Sequence, residues 1–218
     1  MALTGEDPPS NELVELSQKK GINLIHYPLI KTIPLKEVYI PKKKYDFLII
    51  TSAKAVRHFL MKDNSISRDI PVLTTGEKTK RALRDAGFKN VIIAGSKGVD
   101  SIKEYILKNG LLEKSFLFLR AKKGKQIKLP YIDIVPVYET VFNHPKNFPL
   151  EGVDAIVFSS PSTFQSFKSL LKDRTKEVLK SLKVIAIGQT TKREIEKEGI
   201  KVDFTPTKPS LLEIIMQL

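Results

Sequence analysis

Short apolar runs alternate along the chain with segments in which apolar residues recur every three or four positions. The run "FLIITS" precedes the helical pattern "AKAVRHFLM", "PVLTTG" precedes "EKTKRALRDAG", and "NVIIAG" precedes "VDSIKEYILKNG". Further apolar runs are "SFLFLR", "IDIVPVYET", "DAIVFSS", "KVIAIG" and "KVDFTPT". Strand–helix alternation of this kind predicts βαβ units and a mainly parallel sheet, so we expect an α/β fold.

The helical patterns carry recognisable end signals. Glycines that are free to adopt positive φ are expected to close four of them: Gly21, Gly87, Gly110 and Gly199. Hydroxyl residues stand three positions before a Glu, which is the spacing of a capping box, at Ser101, Thr191 and Ser210. These signals support the predicted helices.

The strand–helix joints show an internal repeat. "YDFLIITSAKAVRHFL" matches "VDAIVFSSPSTFQSFKSL", so that Ser52 and Ser160 are 108 residues apart. "TTGEKTKRALRDAGFKNV" matches "AIGQTTKREIEKEGIKV", with Thr79 and Thr191 112 residues apart. "YPLIKT" matches "VPVYET" with an offset of 108. A nearly constant offset at several joints indicates two copies of one small α/β unit.

The order of the matches predicts interleaved domains. "VPVYET" in the second half has its partner "YPLIKT" near the N-terminus, so the first domain combines residues 1–35 with 143–218. The second domain is the continuous segment 38–138, and a cleft between the two domains is the expected active site. "LIKTIPLKE" and "PVYETVFNHP" then form a pair of linker strands. The alternative of two consecutive domains divided near residue 110 would interrupt a βαβ series.

Composition and charge narrow the classes of function. The chain has 218 residues, 41% of them hydrophobic, and no cysteine, which excludes disulfides, thiolate metal sites and a cysteine nucleophile. Its net charge of +13 favours a polyanionic partner, although a merely solvated basic surface is the open alternative. The lysines are scattered rather than interleaved with aromatic residues, which argues against nucleic acid. Without a signal-peptide pattern or a membrane-length apolar run, we expect a soluble, cytoplasmic protein.

Hydroxyl groups and glycines follow the predicted strands, where an open parallel sheet binds its ligands. These residues are Thr51, Ser52, Gly76, Ser159, Ser160 and Gly188. Free N–H groups and positive partial charge at helix N-termini suit an anion, and the hydroxyls add donors. Ordinary N-capping is the alternative for each hydroxyl, but it does not explain why a hydroxyl joint and a Gly-x-x-Thr joint are both repeated.

Other chemistries are poorly supported. A serine nucleophile needs a general base, and His26, His58 and His144 have no counterpart in the other repeat, so we interpret them as surface or packing residues. We expect no metal, because no cluster of ligands has metal-binding spacing. Tyr138 stands where the other copy has Ile30; it could donate a proton to a ligand or simply pack at the linker.

The combination of "FLIITSAKAV", "VYET", "IVFSSPSTFQSF" and "VIAIGQTTKREIEKEGIKV" resembles the uroporphyrinogen-III synthase family over nearly the whole chain. The resemblance implies two flavodoxin-like domains joined by a two-stranded ladder. It also implies a lyase of haem biosynthesis that needs no cofactor and acts as a monomer. The substrate would be hydroxymethylbilane, a linear tetrapyrrole with eight carboxylates, which closes to uroporphyrinogen III with loss of water and inversion of ring D.

The resemblance also assigns expected roles to residues. The counterpart of Tyr138 assists departure of the substrate hydroxyl, and the two threonine joints line the cleft. The expected substrate-binding set is Thr51, Ser52, Gly76, Thr79, Ser159, Ser160, Ser162, Gly188, Thr190 and Thr191. The competing hypothesis is a non-catalytic two-domain module that binds a polyanion or nucleic acid, and that hypothesis predicts salt-sensitive binding of DNA or RNA.

Overall fold

The apolar runs form the strands of two sheets in the computed structural model, which describes residues 1–63, 65–95 and 98–218. The strands are β1 Ala2–Leu3, β2 Ile25–His26, β3 Ile30–Pro34, β4 Phe47–Ile50, β5 Val72–Thr74, β6 Val91–Ile93, β7 Phe116–Ala121, β8 Ile132–Phe142, β9 Ala155–Phe158 and β10 Lys183–Ala186.

Helices follow most strands. They are α1 Asn11–Lys19, α2 Ala53–Ala55, α3 Glu77–Asp85, α4 Val99–Lys108, α5 Pro161–Leu171, α6 Thr175–Lys180, α7 Gln189–Glu196 and α8 Leu211–Gln217. The short α2 continues as a π-helical turn over Val56–Leu60, and a 3-10 turn at Lys172–Arg174 joins α5 to α6.

The chain divides into two units. Unit 1 comprises Met1–Lys31 and Val141–Leu218, and unit 2 comprises Thr32–Thr140. The sheet of unit 1 has the strand order β10-β9-β1-β2, and the other sheet has the order β3-β8-β7-β4-β5-β6. β3 and β8 each contain a boundary between the units, and they lie side by side as the predicted pair of linker strands.

Both faces of each sheet are buried, as the continuous apolar runs predict for parallel strands. Along β9, Ile156 and Phe158 belong to one apolar cluster, and Val157 belongs to a second cluster on the other face. β7 alternates in the same way, with Leu117 and Leu119 on one face and phenylalanines on the other. The helices therefore cover the two faces, and a ligand of the sheet is expected at the strand ends.

The two sheets repeat the same arrangement. In unit 1, β9 and β10 take the positions that β4 and β5 take in unit 2, while β1 and β2 correspond to β7 and β8. All these neighbouring pairs are parallel. The prediction of two parallel-sheet α/β domains is confirmed. The paired Gly87 and Gly199 both follow a helix with positive φ, 89° and 72°, as predicted.

Some local predictions were wrong. The run "KVDFTPT" forms only a single bridge, between Phe204 and Ile185, instead of a full strand. Ser210 caps α8 by accepting a hydrogen bond from the Glu213 N–H, but glycines occupy the N-cap positions of α4 and α7. Ser101 and Thr191, which were predicted as N-caps, lie inside the first turns of those helices.

Candidate functional site

The residues predicted to bind substrate lie where the parallel strands of each sheet end and the next helices begin. In unit 2 they are Thr51, Ser52, Gly76 and Thr79, and in unit 1 they are Ser159, Ser160, Ser162, Gly188, Thr190 and Thr191. The predicted catalytic residue, Tyr138, lies within β8 of unit 2. Backbone N–H groups in the first turn of a helix have no partner within that helix, so these edges offer donors to an anion.

The two Gly-x-x-Thr joints have the same local structure. Gly76 is the N-cap of α3 and Gly188 is the N-cap of α7, and neither helix start has a side-chain cap. Thr79 and Thr191 occupy the third helical position and are 7% and 3% exposed. Neither hydroxyl makes a hydrogen bond to another residue in the described part of the chain. Each joint therefore combines open backbone donors with a threonine hydroxyl that can still donate.

Both glycines have an extended backbone, with φ of −176° and −171°, which any residue can adopt. A Cβ atom added to Gly188 would approach Cβ of Pro209 to 3.3 Å, whereas one added to Gly76 would have no neighbour within 4 Å. Gly76 is therefore not required by packing within the protein. Its missing side chain leaves the start of α3 open to a ligand.

The two serine joints are helix caps. Ser160 Oγ accepts a hydrogen bond from the Thr163 N–H, and Thr163 Oγ1 accepts one from the Ser160 N–H, which completes a capping box at the start of α5. Ser52 Oγ accepts a hydrogen bond from the Lys54 N–H at 3.2 Å. Capping uses an oxygen lone pair, so each hydroxyl hydrogen can still be donated. The alternative of N-capping thus holds for both residues and is compatible with binding.

The remaining predicted residues make fewer contacts. Thr51, Ser159 and Ser162 are half-buried, and Thr190 is exposed on the first turn of α7. Ser159 lies close to the backbone of unit 1, because a Cβ atom on Gly5 would approach its Oγ to 3.1 Å. None of these four hydroxyls is hydrogen-bonded to another residue that the structure describes.

Tyr138 is packed beside a histidine in unit 2. It is 6% exposed and belongs to the apolar cluster on one face of the sheet. Its ring stacks on His58, with 5.9 Å between the ring centroids and an interplanar angle of 30°. His58 Nε2 is hydrogen-bonded to Thr32 Oγ1 at 2.8 Å. Two side chains, His58 from the π-helical turn and Thr32 from β3, therefore help to fix the position of the phenol.

A β-bulge sets the direction of the Tyr138 side chain. Arg120 on β7 is opposite Pro136 on β8, but the next residue, Ala121, is opposite Tyr138. Val137 is the extra residue, and Val137 and Tyr138 both join the same apolar cluster instead of alternating between faces. Bulges often redirect side chains next to active sites.

His58, next to the phenol, was predicted from the sequence only to pack. The family resemblance suggested a binding role for Arg120 but left it open, because Ala121 follows Arg120 where the family usually has Gly. A signal for His58 is the π-helical turn, which is frequent at functional sites, but periodicity does not distinguish such a turn from an α-helix. A signal for Arg120 is a lone cation at the end of the apolar run "SFLFLR".

A cavity of about 770 Å³ in unit 2 lies elsewhere. It is lined by residues at the amino ends of the strands, among them Asp46, Pro71 and Leu117, and by the segment from Val38 to Tyr45. None of the predicted site residues lines it. The volume of this cavity would suit a ligand. The open backbone N–H groups, the free hydroxyls and the β-bulge beside Tyr138 lie instead at the carboxyl ends of the strands. We therefore assign the candidate site to that edge of the sheet.

Metal-binding clusters and membrane-spanning helices are both absent from the part of the chain that the structure describes. Within residues 1–63, 65–95 and 98–218, no group of three or more His, Cys, Asp or Glu side chains is arranged to hold a metal ion. Among the described helices, none is both long enough and apolar enough to cross a membrane.

Comparison with known proteins gives consistent results. The family model of uroporphyrinogen-III synthase HemD matches residues 11–215. A curated relative from Methanothermobacter thermautotrophicus is 28% identical over all of this chain and 96% of that protein. The uroporphyrinogen-III synthase of Chlorobaculum parvum is 24% identical, over 87% of this chain and 85% of that protein.

Solved structures share the fold. The uroporphyrinogen-III synthetase of Helicobacter pylori 26695 superposes with a TM-score of 0.66 at 20% identity, covering 99% of this chain and 97% of that one. A mutant uroporphyrinogen III synthase of the extremely thermophilic bacterium Thermus thermophilus gives a TM-score of 0.52 at 18% identity, covering 99% and 95% of the two chains.

Proposed function

The chain belongs to the uroporphyrinogen-III synthase family, and from that membership we propose that it cyclises hydroxymethylbilane to uroporphyrinogen III. The reaction is a lyase reaction in which the linear tetrapyrrole loses water and closes with inversion of ring D. The observation that carries the proposal is the family match over residues 11–215, and the curated relatives align along the same length of chain.

In this proposal Tyr138 assists departure of the hydroxyl group. As the carbon–oxygen bond breaks, the phenol donates its proton to the leaving oxygen, and water departs. The electron-rich pyrrole stabilises the resulting cationic carbon, and a proton released from the attacked ring after closure restores the phenol. His58 and Thr32 support this role because they hold the ring in one orientation.

The hydroxyl and glycine joints bind carboxylates of the substrate. Open helix starts at Gly76 and Gly188 offer N–H donors, and the hydroxyls of Thr79 and Thr191 add donors beside them. Further hydroxyl donors lie at the same strand ends of the two units. They belong to Thr51, Ser52, Ser159, Ser160, Ser162 and Thr190. A net charge of +13 suits a ligand with eight carboxylates. The cleft predicted from the sequence stays a prediction, and so does the monomeric state.

Most of the catalysis in this proposal is orientation. Uncatalysed closure gives isomer I, so the protein must favour attack at one carbon over another instead of creating reactivity. Binding the substrate at several carboxylates restricts the folded conformations of the chain, and restricting reactants in this way can lower a barrier substantially. The proposed reaction needs neither a metal nor an organic cofactor.

The test is an isomer analysis. Purified protein is mixed with hydroxymethylbilane made in situ by the preceding enzyme, the products are oxidised, and the porphyrin isomers are separated. We expect isomer III, with a boiled sample as the control that yields isomer I. Isomer I alone from folded protein would contradict the proposal. Salt-sensitive binding of DNA or RNA in a filter-binding titration would then favour the polyanion-binding module.

A further inference from the structure

The cavity at the amino ends of the unit 2 strands takes no part in the proposed function. Its volume of about 770 Å³ lies within the range of roughly 300–1,000 Å³ that is usual for small-molecule sites. Protein interiors contain few voids larger than a water molecule, so a space of this size is not a packing defect. Asp46 and Pro71, which line it, directly precede β4 and β5, whereas the candidate site lies where these strands end.

The lining of the cavity is mainly apolar and aromatic. Leu117 on β7 and Ile70 line it and pack with the apolar core of the unit. Three aromatic residues also line it, and they are Tyr39, Tyr45 and Phe59. Tyr39 is 78% exposed, so most of its ring is available to a ligand. Aromatic side chains bury large areas against other rings, and this lining therefore suits a flat aromatic body.

Three consecutive lysines, Lys42–Lys44, line one side of the cavity, and all three are exposed. Lys43 Nζ pairs with Asp133 Oδ2 at 2.7 Å and lies 5.3 Å from the centroid of the Tyr45 ring. Lys42 and Lys44 form no ion pair with any residue that the structure describes. Two ammonium groups at the cavity can therefore donate to a negatively charged ligand.

The two acids that line the cavity are bound by serines. Asp46 Oδ2 accepts hydrogen bonds from the N–H and the hydroxyl of Ser115, at 2.8 and 2.9 Å. Asp63 Oδ1 accepts from the Ser65 N–H at 2.7 Å and from the hydroxyl of the same residue. These bonds use part of the acceptor capacity of both carboxylates, while the lysine donors are unused. The lining therefore favours an anionic ligand over a cationic one.

The segment that carries the lysines is fixed to the sheet. The Tyr45 hydroxyl donates to Asp133 Oδ2 at 2.6 Å, and Asp133 lies on β8. Val38 and Ile40, at the other end of the segment, pack against the apolar core. These contacts form the cavity before any ligand arrives, and such preorganisation reduces the entropy lost on binding.

From these features we propose that the cavity is a second ligand site, which binds a small aromatic anion. The aromatic body lies against Tyr39, Phe59 and Leu117, and a carboxylate, sulfonate or phosphate group faces Lys42 and Lys44. The site is independent of the proposed function, because none of the residues proposed to bind the tetrapyrrole lines this cavity.

The experiment uses two fluorescent probes with the same aromatic body. 8-Anilino-1-naphthalenesulfonate carries one negative charge, and N-phenyl-1-naphthylamine lacks the sulfonate. Each probe is titrated against the native protein and its variants to obtain a Kd, and thermal unfolding without probe shows that each variant is folded. We expect saturable binding of the anionic probe to the native protein.

Two variants separate the charged part of the site from its apolar part. The double variant Lys42→Met and Lys44→Met should weaken the Kd of the anionic probe about threefold to tenfold, because exposed ion pairs contribute modestly. The Kd of the neutral probe should stay within about twofold, because it has no charge to lose. Ile70→Trp reduces the space in the cavity and should weaken both probes about tenfold, since each loses apolar contact area.

Each variant has a matched control in the same unit. The double variant Lys103→Met and Lys108→Met removes the same charge from exposed positions on α4, away from the cavity. Leu112→Trp adds the same ring at a residue that is 40% exposed and does not line the cavity. Both controls should leave the two Kd values within about twofold of the native protein, because they leave the cavity unchanged.

Three results would overturn the proposal. They are the absence of saturable binding of the anionic probe to the native protein, an unchanged Kd in Ile70→Trp, and equal losses for both probes in the Lys42 and Lys44 double variant. The last result would mean that the lysines do not recognise the charge of the ligand. Formation of isomer I alone in the isomer analysis overturns the proposed function and leaves this site in place.

Discussion

Replacing Tyr138 by Phe removes a single hydroxyl group from a buried ring. The ring lies in the apolar core of unit 2 and stacks on His58, and both contacts remain in the variant. The hydroxyl forms no hydrogen bond with any residue that the structure describes. No folded-state bond is therefore lost, and we expect the free energy of unfolding to change by less than about 0.5 kcal/mol.

The kinetic effect should be much larger. A positioned proton donor contributes roughly 10²–10⁴-fold to a rate, so kcat for formation of isomer III should fall within that range. KM should change little, because the groups proposed to bind carboxylates are untouched. Equal losses in kcat and kcat/KM identify an interaction made only in the transition state.

The assay measures initial rates of isomer III formation, together with urea unfolding of the same preparations. Tyr131→Phe is the matched control, since Tyr131 is a 57% exposed tyrosine of the same unit, and it should change neither quantity. A kcat for Tyr138→Phe within twofold of wild type would refute the proton-donor role. A loss of stability above about 1 kcal/mol would refute the inference that its hydroxyl is unbonded.

Three further substitutions test other contacts. His58→Phe keeps the ring stacking on Tyr138 but loses the hydrogen bond between the imidazole and Thr32, so kcat should fall roughly fivefold with KM unchanged. A kcat equal to that of wild type would show that His58 does not position the phenol. Ser160→Ala should destabilise the protein by about 1 kcal/mol in urea unfolding through loss of the α5 cap, whereas Ser162→Ala, which loses no bond, should not; equal effects would contradict the capping. Hydrogen bonds from Lys43 and, second, from Tyr45 lower the pKa of Asp133, so Asp133→Asn should cost about 1 kcal/mol at pH 7. This difference should begin to shrink near about pH 4 and disappear as the pH falls through the lowered pKa; a difference that stays constant with pH would exclude these bonds as its source.

The sheets could be predicted because both of their faces are buried. Continuous apolar runs such as "FLIITS" and "DAIVFSS" indicate such strands directly, and the repeat at Ser52 and Ser160 relates one sheet to the other. Helix ends were predicted less well. Thr191 and Glu194 have the spacing of a capping box, which predicts that α7 begins after Thr191. The helix instead begins one turn earlier, after Gly188, and the sequence alone does not decide between these two possible starts.

The surroundings of Tyr138 could not be predicted in the same way. His58 lies 80 positions before Tyr138 in sequence, and their contact depends on a π-helical turn and a bulge that no periodicity encodes. Local sequence also does not show that Lys122, just after β7, forms an ion pair with Glu139 on β8. Pairing choices of this kind become visible only when the strands are assembled.

The central claim is that this protein directs closure of the tetrapyrrole, and the dependence of product isomers on protein concentration tests it most directly. Hydroxymethylbilane is supplied at a fixed rate, and the fraction of isomer III is measured while the purified protein is increased. Because spontaneous closure to isomer I competes, the account predicts that this fraction rises with concentration and approaches unity. A fraction that stays at the protein-free level at every concentration would contradict the account.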